Sequence, residues 1–315
     1  MDYRILGASG LRVSRLCFGS LTIGPLQAGL GLEEGASVIR VAFDMGVNFI
    51  DTAELYCTYD YIRKAAEGRR KEIIISTKCY AYTREGAEKS LRKALKELDT
   101  DYIDIFSLHE QESELTLKGH QEAMEYFIRA KEKGYIRSFG ISTHAIGAVK
   151  ASLKYKEIEV LHPILNIRGL GIIDGDVNGM LEAVAEACRA GKGIYSMKPL
   201  GGGNMIKDSD QCFDFLLSNN NLHSIAVGMQ SKEEVTNNVM IFEGKQVPEE
   251  VKLQLKRKKR RLLIDYWCRG CGSCSRKCTQ EAITIEQGKA VVDPAKCVLC
   301  GYCSAYCPDF CIKVI

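Results

Sequence analysis

The sequence predicts an α/β fold in two parts. A (β/α)8 TIM barrel spans residues 1–243, a basic segment follows at 244–267, and a small α+β domain closes the chain at 268–315. Three observations predict it. Short apolar runs alternate eight times with helix-length amphipathic stretches in roughly 240 residues, the size of such a barrel. Alternation of this kind implies parallel strands joined by right-handed crossovers. The 14 cysteines are spread unevenly: five are scattered through the first 267 residues and nine crowd into the last 48. That tail also repeats itself, because Cys268, Cys271, Cys274 and Cys278 recur 29 residues later as Cys297, Cys300, Cys303 and Cys307.

Residues 1–14 read as a hairpin that turns at Gly7 to Gly10. Strands are expected at 15–20, 47–51, 72–78, 102–109, 136–142, 159–166, 193–198 and 224–228. Helices are expected between them at about 33–45, 59–67, 84–98, 117–133, 145–154, 178–190, 209–219 and 231–242. A doubly wound open sheet is the rival architecture, but no G-x-G-x-x-G follows the first strand.

Composition narrows the function. No apolar run approaches the ~18 residues needed to span a bilayer. The start, MDYRILGASG, has no apolar core of a secretory signal, so a cytoplasmic protein is expected. Thiols stay reduced there and serve as metal ligands or catalysts rather than as disulfides. With 43 basic and 40 acidic residues, the balance argues neither for nucleic acid nor for a membrane partner. The basic run from Lys256 to Arg261 reads as a solvated helix face, or as a docking surface for an acidic redox partner or a cofactor phosphate.

Each copy of the tail reads C-x2-C-x2-C-x3-C, the iron–sulfur run in which the fourth cysteine ligates the other cluster. A tight loop presents three thiolates to one face of a cubane, and the fourth, one helical turn on, faces the neighbouring site. One 4Fe–4S cluster would be held by Cys268, Cys271, Cys274 and Cys307, the other by Cys297, Cys300, Cys303 and Cys278. Structural zinc also accepts C-x2-C pairs, but it has no use for a fourth-ligand exchange. The whole tail, including CTQEAITIEQGKAVVDPAKC, resembles two-cluster bacterial ferredoxins; Thr279 departs from the proline usual there, which Pro308 keeps. Cys311 stands at the repeat position of Ala282 and reads as a small core residue rather than a ninth ligand.

Barrel enzymes place chemistry at the C-terminal ends of their strands. Asp51 ends the second expected strand, Tyr56 follows it, Lys78 ends the third and His109 the fourth. A phenol with an unperturbed pKa near 10 is a poor acid at neutral pH. A neighbouring ammonium is expected to lower it, a carboxylate to orient the ammonium, and the imidazole to position a carbonyl oxygen.

The segments YRILGASGLRVSRLCFGS, GVNFIDTAELY, SLRKALKELDTDYIDIFSLH, KGYIRSFGIST and MKPLGGG resemble the aldo-keto reductases, over essentially residues 1–242. The resemblance implies that Asp51, Tyr56, Lys78 and His109 form a catalytic tetrad with Tyr56 as general acid. It implies NADH or NADPH at the barrel mouth and a small carbonyl or alcohol substrate. By the same match, Ser142 and Thr143 lie at the carboxamide, Leu200, Gly201, Gly202 and Gly203 in the pyrophosphate loop, and Gly228, Met229, Ser231, Glu234 and Asn238 in the adenosine segment. Met197 stands where many members stack an aromatic ring on the nicotinamide, and His162 where a glutamine meets the carboxamide. Glu234 replaces a frequent arginine and would repel a 2′-phosphate, a lean towards NADH that Lys232 would temper. Hydride moves two electrons and a cluster takes one, with no flavin motif evident between them. Three readings therefore stand open: a reductase whose module serves stability, docking or electron exchange with a partner protein, an electron-transfer enzyme with an unrecognised one- or two-electron relay at the barrel mouth, and a non-catalytic redox sensor. A barrel this short leaves little chain for a lid, so its mouth is either open or capped by the cysteine module itself.

Overall fold

A computed structural model describes residues 1–315. The chain begins with an antiparallel hairpin, β1 (Tyr3–Ile5) with β2 (Arg12–Ser14). Eight parallel strands follow: β3 (Leu16–Gly19), β4 (Phe49–Asp51), β5 (Ile74–Cys79), β6 (Ile103–Leu108), β7 (Ile136–Thr143), β8 (Val160–Pro163), β9 (Gly193–Met197) and β10 (Ser224–Gly228). They pair in sequence order, and β10 returns to β3 to close the barrel. All eight expected strands are present. The helices around them are α1 (Leu32–Asp44), α2 (Tyr59–Ala65), α3 (Arg84–Leu98), α4 (Glu114–Gly119), α5 (Gln121–Glu132), α6 (Ile146–Ser152), α7 (Val177–Arg189), α8 (Ser209–Leu217) and α9 (Lys232–Phe242).

Local chemistry sets these boundaries. Thr83 caps α3 by accepting from Gly86 N, and Ala87, Leu91, Ala94 and Leu98 bury one face at helical spacing. The single helix expected over 117–133 is two, because Ser113 and Thr116 cap a separate α4 that ends at Gly119 before His120 restarts the chain as α5.

Two cores result. The larger lies between the strands and the helices. A smaller one fills the barrel's lower lumen, where Leu6, Leu11 and Val13 of the hairpin meet Cys17, Phe49, Ile74, Ile105, Val160, Tyr195 and Ala226. The hairpin thus closes the end of the barrel opposite the strand C-termini, leaving chemistry to the other end.

Beyond the barrel come α10 (Glu249–Arg257), β11 (Leu262–Ile264), α11 (Ser273–Arg276), β12 (Ile283–Glu286), β13 (Lys289–Val292), α12 (Tyr302–Ala305) and β14 (Ile312–Val314). The basic segment is not a bare tether, since β11 within it pairs with β14 as part of the module's own sheet. The two cysteine repeats superimpose in backbone conformation. Gly272 and Gly301 precede the short helices at φ 75° and 77°, Gly270 and Leu299 share a left-handed position at 64° and 52°, and so do Glu281 and Phe310, both at 49°. Symmetry fails in surroundings: Glu281 is exposed, whereas Phe310 is 5% exposed and belongs to the barrel's main hydrophobic core. The module therefore sits against the C-terminal end of the barrel.

Candidate active site and cysteine-lined cavities

Adjacent strands bring the four tetrad candidates together. Asp51 is the last residue of β4, Lys78 lies in β5, His109 directly follows β6, and Tyr56 ends a tight turn at Glu54–Tyr56. That turn continues through Cys57 at φ 54°. Lys78 Nζ donates to both Asp51 oxygens, at 2.8 and 2.9 Å, and to Thr52 O at 2.6 Å. Burial works against the charge of Asp51, but Lys78 and then His162 more than offset it and hold the carboxyl well below its ordinary range.

Tyr56 OH and His109 Nε2 are 3.5 Å apart, too long for a strong bond and open enough for both to face a third oxygen. The His109 ring stacks on Tyr80 with centroids 4.5 Å apart, and its Nδ1 is buried without a partner. Burial, then Lys78, lowers the His109 pKa well below its ordinary value, so the imidazole is neutral. Tyr56 differs from the sequence expectation. Lys78 Nζ lies 5.0 Å from the centre of its ring and spends its hydrogen bonds on Asp51 and Thr52. Burial first, then Asp51 and Glu110, push the phenol well above 10 rather than below it.

Two residues beyond the tetrad complete the buried network. Tyr195 OH donates to Asp51 Oδ1 at 2.9 Å and lies 2.8 Å from Ser76 Oγ. His162, expected at a carboxamide, instead stacks on Tyr195 at 3.8 Å and sets Nε2 3.5 Å from Asp51 Oδ1, with Nδ1 donating to Tyr195 O. Inward alternation along β9 was the one signal for Tyr195, two residues before Met197.

The expected cofactor residues are largely engaged by the protein itself. Ser142 Oγ accepts from Glu110 N, and Thr143 Oγ1 exchanges bonds with the Ala145 backbone. Met197 and Met229 are buried in the core, and Gly228 is exposed. Ser231 caps α9 by accepting from Glu234 N, and Asn238 is 7% exposed and accepts from Asn237. Glu234 closes the same cap on Gln230 N and takes Lys258 and Arg260 at 2.8 and 3.0 Å. Two of the six residues of the basic run thus pair within the chain, while Lys256, Arg257, Lys259 and Arg261 are exposed, and Glu234 no longer presents a lone negative charge. Gly201, Gly202 and Gly203 all adopt left-handed φ, and the module explains why. Val314 N donates to Gly202 O at 3.0 Å, and a Cβ on Gly202 would stand 2.7 Å from Lys313 and one on Gly203 2.0 Å from Val314 O.

In the module, one cavity is lined by Cys268, Cys271, Cys274, Cys307 and also Cys311, and a second by Cys278, Cys297, Cys300 and Cys303. Backbone N–H groups of Ala282 and Cys311 donate to Cys278 and Cys307 Sγ, both at 3.3 Å. Each set surrounds a space rather than converging on a point where a single metal ion would sit. Donors aimed at sulfur, and four repeat cysteines lining each cavity, fit iron–sulfur clusters. Cys311 is 1% exposed, and burial raises its thiol pKa.

A closed parallel barrel with a buried Lys–Asp pair under a tyrosine and a histidine, carrying two thiol-lined cavities on a fused module, defines an oxidoreductase with an iron–sulfur domain. Residues 15–214 match the aldo/keto reductase family model, and residues 262–308 match the 4Fe-4S dicluster domain. The chain belongs to the aldo/keto reductase family. It is 26% identical to L-galactose dehydrogenase of Arabidopsis thaliana over 281 residues, which is 76% of this chain and 87% of that one. It is 27% identical to a methylglyoxal reductase of Escherichia coli over 187 residues, 55% of this chain and 67% of the relative. An aldo-keto reductase from Bacillus halodurans in its holo form shares the fold with a TM-score of 0.65 at 22% identity, covering 82% of this chain and 96% of its own. No helix is long and apolar enough to cross a membrane.

Proposed function

We propose that this protein interconverts a carbonyl and an alcohol on a small molecule at the barrel mouth, with Tyr56 as the proton donor. The observation that carries the reading is the buried Lys78–Asp51 pair, held by Thr52, Tyr195 and His162 beneath Tyr56 and His109. NADH or NADPH, when bound, supplies the hydride. The substrate oxygen sits between the Tyr56 hydroxyl and His109 Nε2, which in its N–H tautomer donates to it. A phenol held protonated has a proton to give, and the phenolate left behind is met by the charge of Lys78. Because Lys258 and Arg260 neutralise Glu234, nothing at that position turns away the 2′-phosphate of NADPH, and the preference for NADH inferred from the sequence loses its basis.

The cysteine sets hold two 4Fe–4S clusters, which supply one-electron steps. A second reading, electron exchange with a partner protein, is favoured by the module's outer face, where Val298, Tyr302 and Tyr306 are half-exposed or more. The deciding experiment is turnover of small aldehydes and ketones by anaerobically purified holoprotein and Tyr56→Phe. A loss of about 10²–10⁴-fold is expected for a general acid; equal turnover refutes the tetrad. Bleaching of the cluster absorption by a reduced ferredoxin, but not by nicotinamide, would establish the second reading.

A further inference from the structure

The segment that ends the module occupies the ground on which the nicotinamide would lie. Phe310 is buried between the loop after β7 and the loop after β9. Its ring is 6.1 Å from the His144 ring and 5.1 Å from Lys198 Nζ, and it touches the positions where Gly171 and Gly202 would carry a Cβ. His144 directly follows Thr143, on the carboxamide side; Gly202 is on the pyrophosphate side. Two further bonds fix the segment there: Val314 N to Gly202 O, and Asn204 Nδ2 to Ile312 O, both at 3.0 Å. Behind it, Lys258 and Arg260 hold Glu234 in the adenosine segment. A dinucleotide cannot share these atoms, since a phosphate at the Gly201–Gly203 backbone would coincide with Lys313 and Val314, and a nicotinamide beside His144 with Phe310.

We propose that residues 310–314 form a self-plug: docking of the cysteine module and binding of NAD(P)H are mutually exclusive, so the module gates the reductase site. The gate rests on the assignment of a nicotinamide to the mouth. Its contacts favour an element that leaves as a body. The module keeps its own sheet when the plug lifts, because Arg261 and Ile315 pair across β11 and β14 within it and owe nothing to the barrel. The polar contacts with the barrel are local, the two hydrogen bonds above, Lys258 to Gln230, and Glu234 with its two cations, and the packing is that of Phe310 and of residues 313–314 on the glycine loop. Nicotinamide then binds only the undocked fraction, and its apparent affinity falls in proportion to that fraction.

The test uses the full-length holoprotein, anaerobically, with NADH and NADPH titrations followed by nicotinamide fluorescence. Phe310→Ala empties the plug, and the double variant Lys258→Ala/Arg260→Ala releases the join without touching the module's core. Phe310→Ala is expected to bind both nucleotides, and the double variant NADH, at least tenfold more tightly than wild type; NADPH is not used to score the double variant, because that variant leaves Glu234 without its cations. In wild type, saturating nicotinamide is expected to speed hydrogen exchange at the Val314 amide, bonded to Gly202, and to leave the Ile315 amide, bonded to Arg261, protected. Unchanged affinity in both variants, together with a Val314 amide indifferent to cofactor, overturns the gate. Failure of every form to bind either nicotinamide overturns the cofactor assignment and, with it, the gate.

Discussion

Lys78 Nζ reaches both carboxylate oxygens of Asp51 in the barrel lumen, where the two side chains are 1% and 7% exposed. Breaking such a pair from one side leaves a buried charge uncompensated, at a cost of about 3–5 kcal/mol. Lys78→Met is therefore expected to destabilise the fold by that amount and to abolish turnover. Asp51→Asn leaves the buried Lys78 ammonium without its counter-charge and is expected to lose turnover at a comparable stability cost. Denaturant unfolding beside activity separates the two effects. Because the folded carboxyl lies below its unfolded value of about 3.9, its contribution is complete above pH 4 and fades as pH falls towards the folded pKa.

Tyr56→Phe is expected to leave stability nearly unchanged, since the hydroxyl has only the 3.5 Å approach to His109 to lose. Its effect falls on turnover alone. With Tyr56 raised and His109 lowered, neither group changes protonation between pH 7 and 9, so the pH–rate profile for reduction is flat there. An alkaline limb near pH 8 that persists in Lys198→Met would contradict the buried, protonated phenol.

Cys307→Ser and Cys311→Ala separate ligand from core. The first removes a thiol from the cavity that Cys268, Cys271 and Cys274 share, and iron should fall from about eight to about four per chain. The second keeps full iron content, because the backbone N–H of residue 311, which bonds Cys307 Sγ, survives the substitution. Iron and sulfide quantitation reads both.

Lys198 donates to His144 Nε2 at 2.7 Å, and burial lowers its pKa to about 8 against the opposing charges of Glu110 and Asp265. The folded state thus holds fewer protons here than the unfolded chain between pH 8 and about 10.4, and stability rises with pH across that window. Thermal melts of wild type and Lys198→Met should converge as pH climbs from 8 to 10, with wild type gaining.

Gly203→Ala places a methyl 2.0 Å from Val314 O at a backbone φ of 86°. Docking of the module should be lost while the barrel melts as before, seen as faster proteolysis near residues 244–262.

Much of this was legible in the sequence because it is local. Strand ends carry Asp51, Lys78 and His109, and period and length alone locate them. The cysteine exchange between the two cavities follows from spacing within 40 residues. The Asp51 network was half legible: Tyr195 sits in an inward position of its strand, but nothing in its neighbours shows that its hydroxyl meets a carboxylate 144 residues away. The plug was not legible at all. GGG reads as a phosphate loop or a turn, and only the folded chain shows that the Cβ atoms are missing to admit Lys313 and Val314, about 110 residues further on. The direction of the phenol shift failed for a related reason: burial decides it first, then the charges of Asp51 and Glu110, and both depend on the folded surroundings.

The paired left-handed residues Glu281 and Phe310 have a consequence for the module's two faces. An internally duplicated unit begins with two equivalent faces, and a barrel fused to it must choose one. Here the choice is written into a single pair of homologous positions, one still a charged solvent residue and the other an aromatic wedge. The repeat thus gives one backbone position two duties, a solvated charge in the first copy and a contact with the barrel in the second.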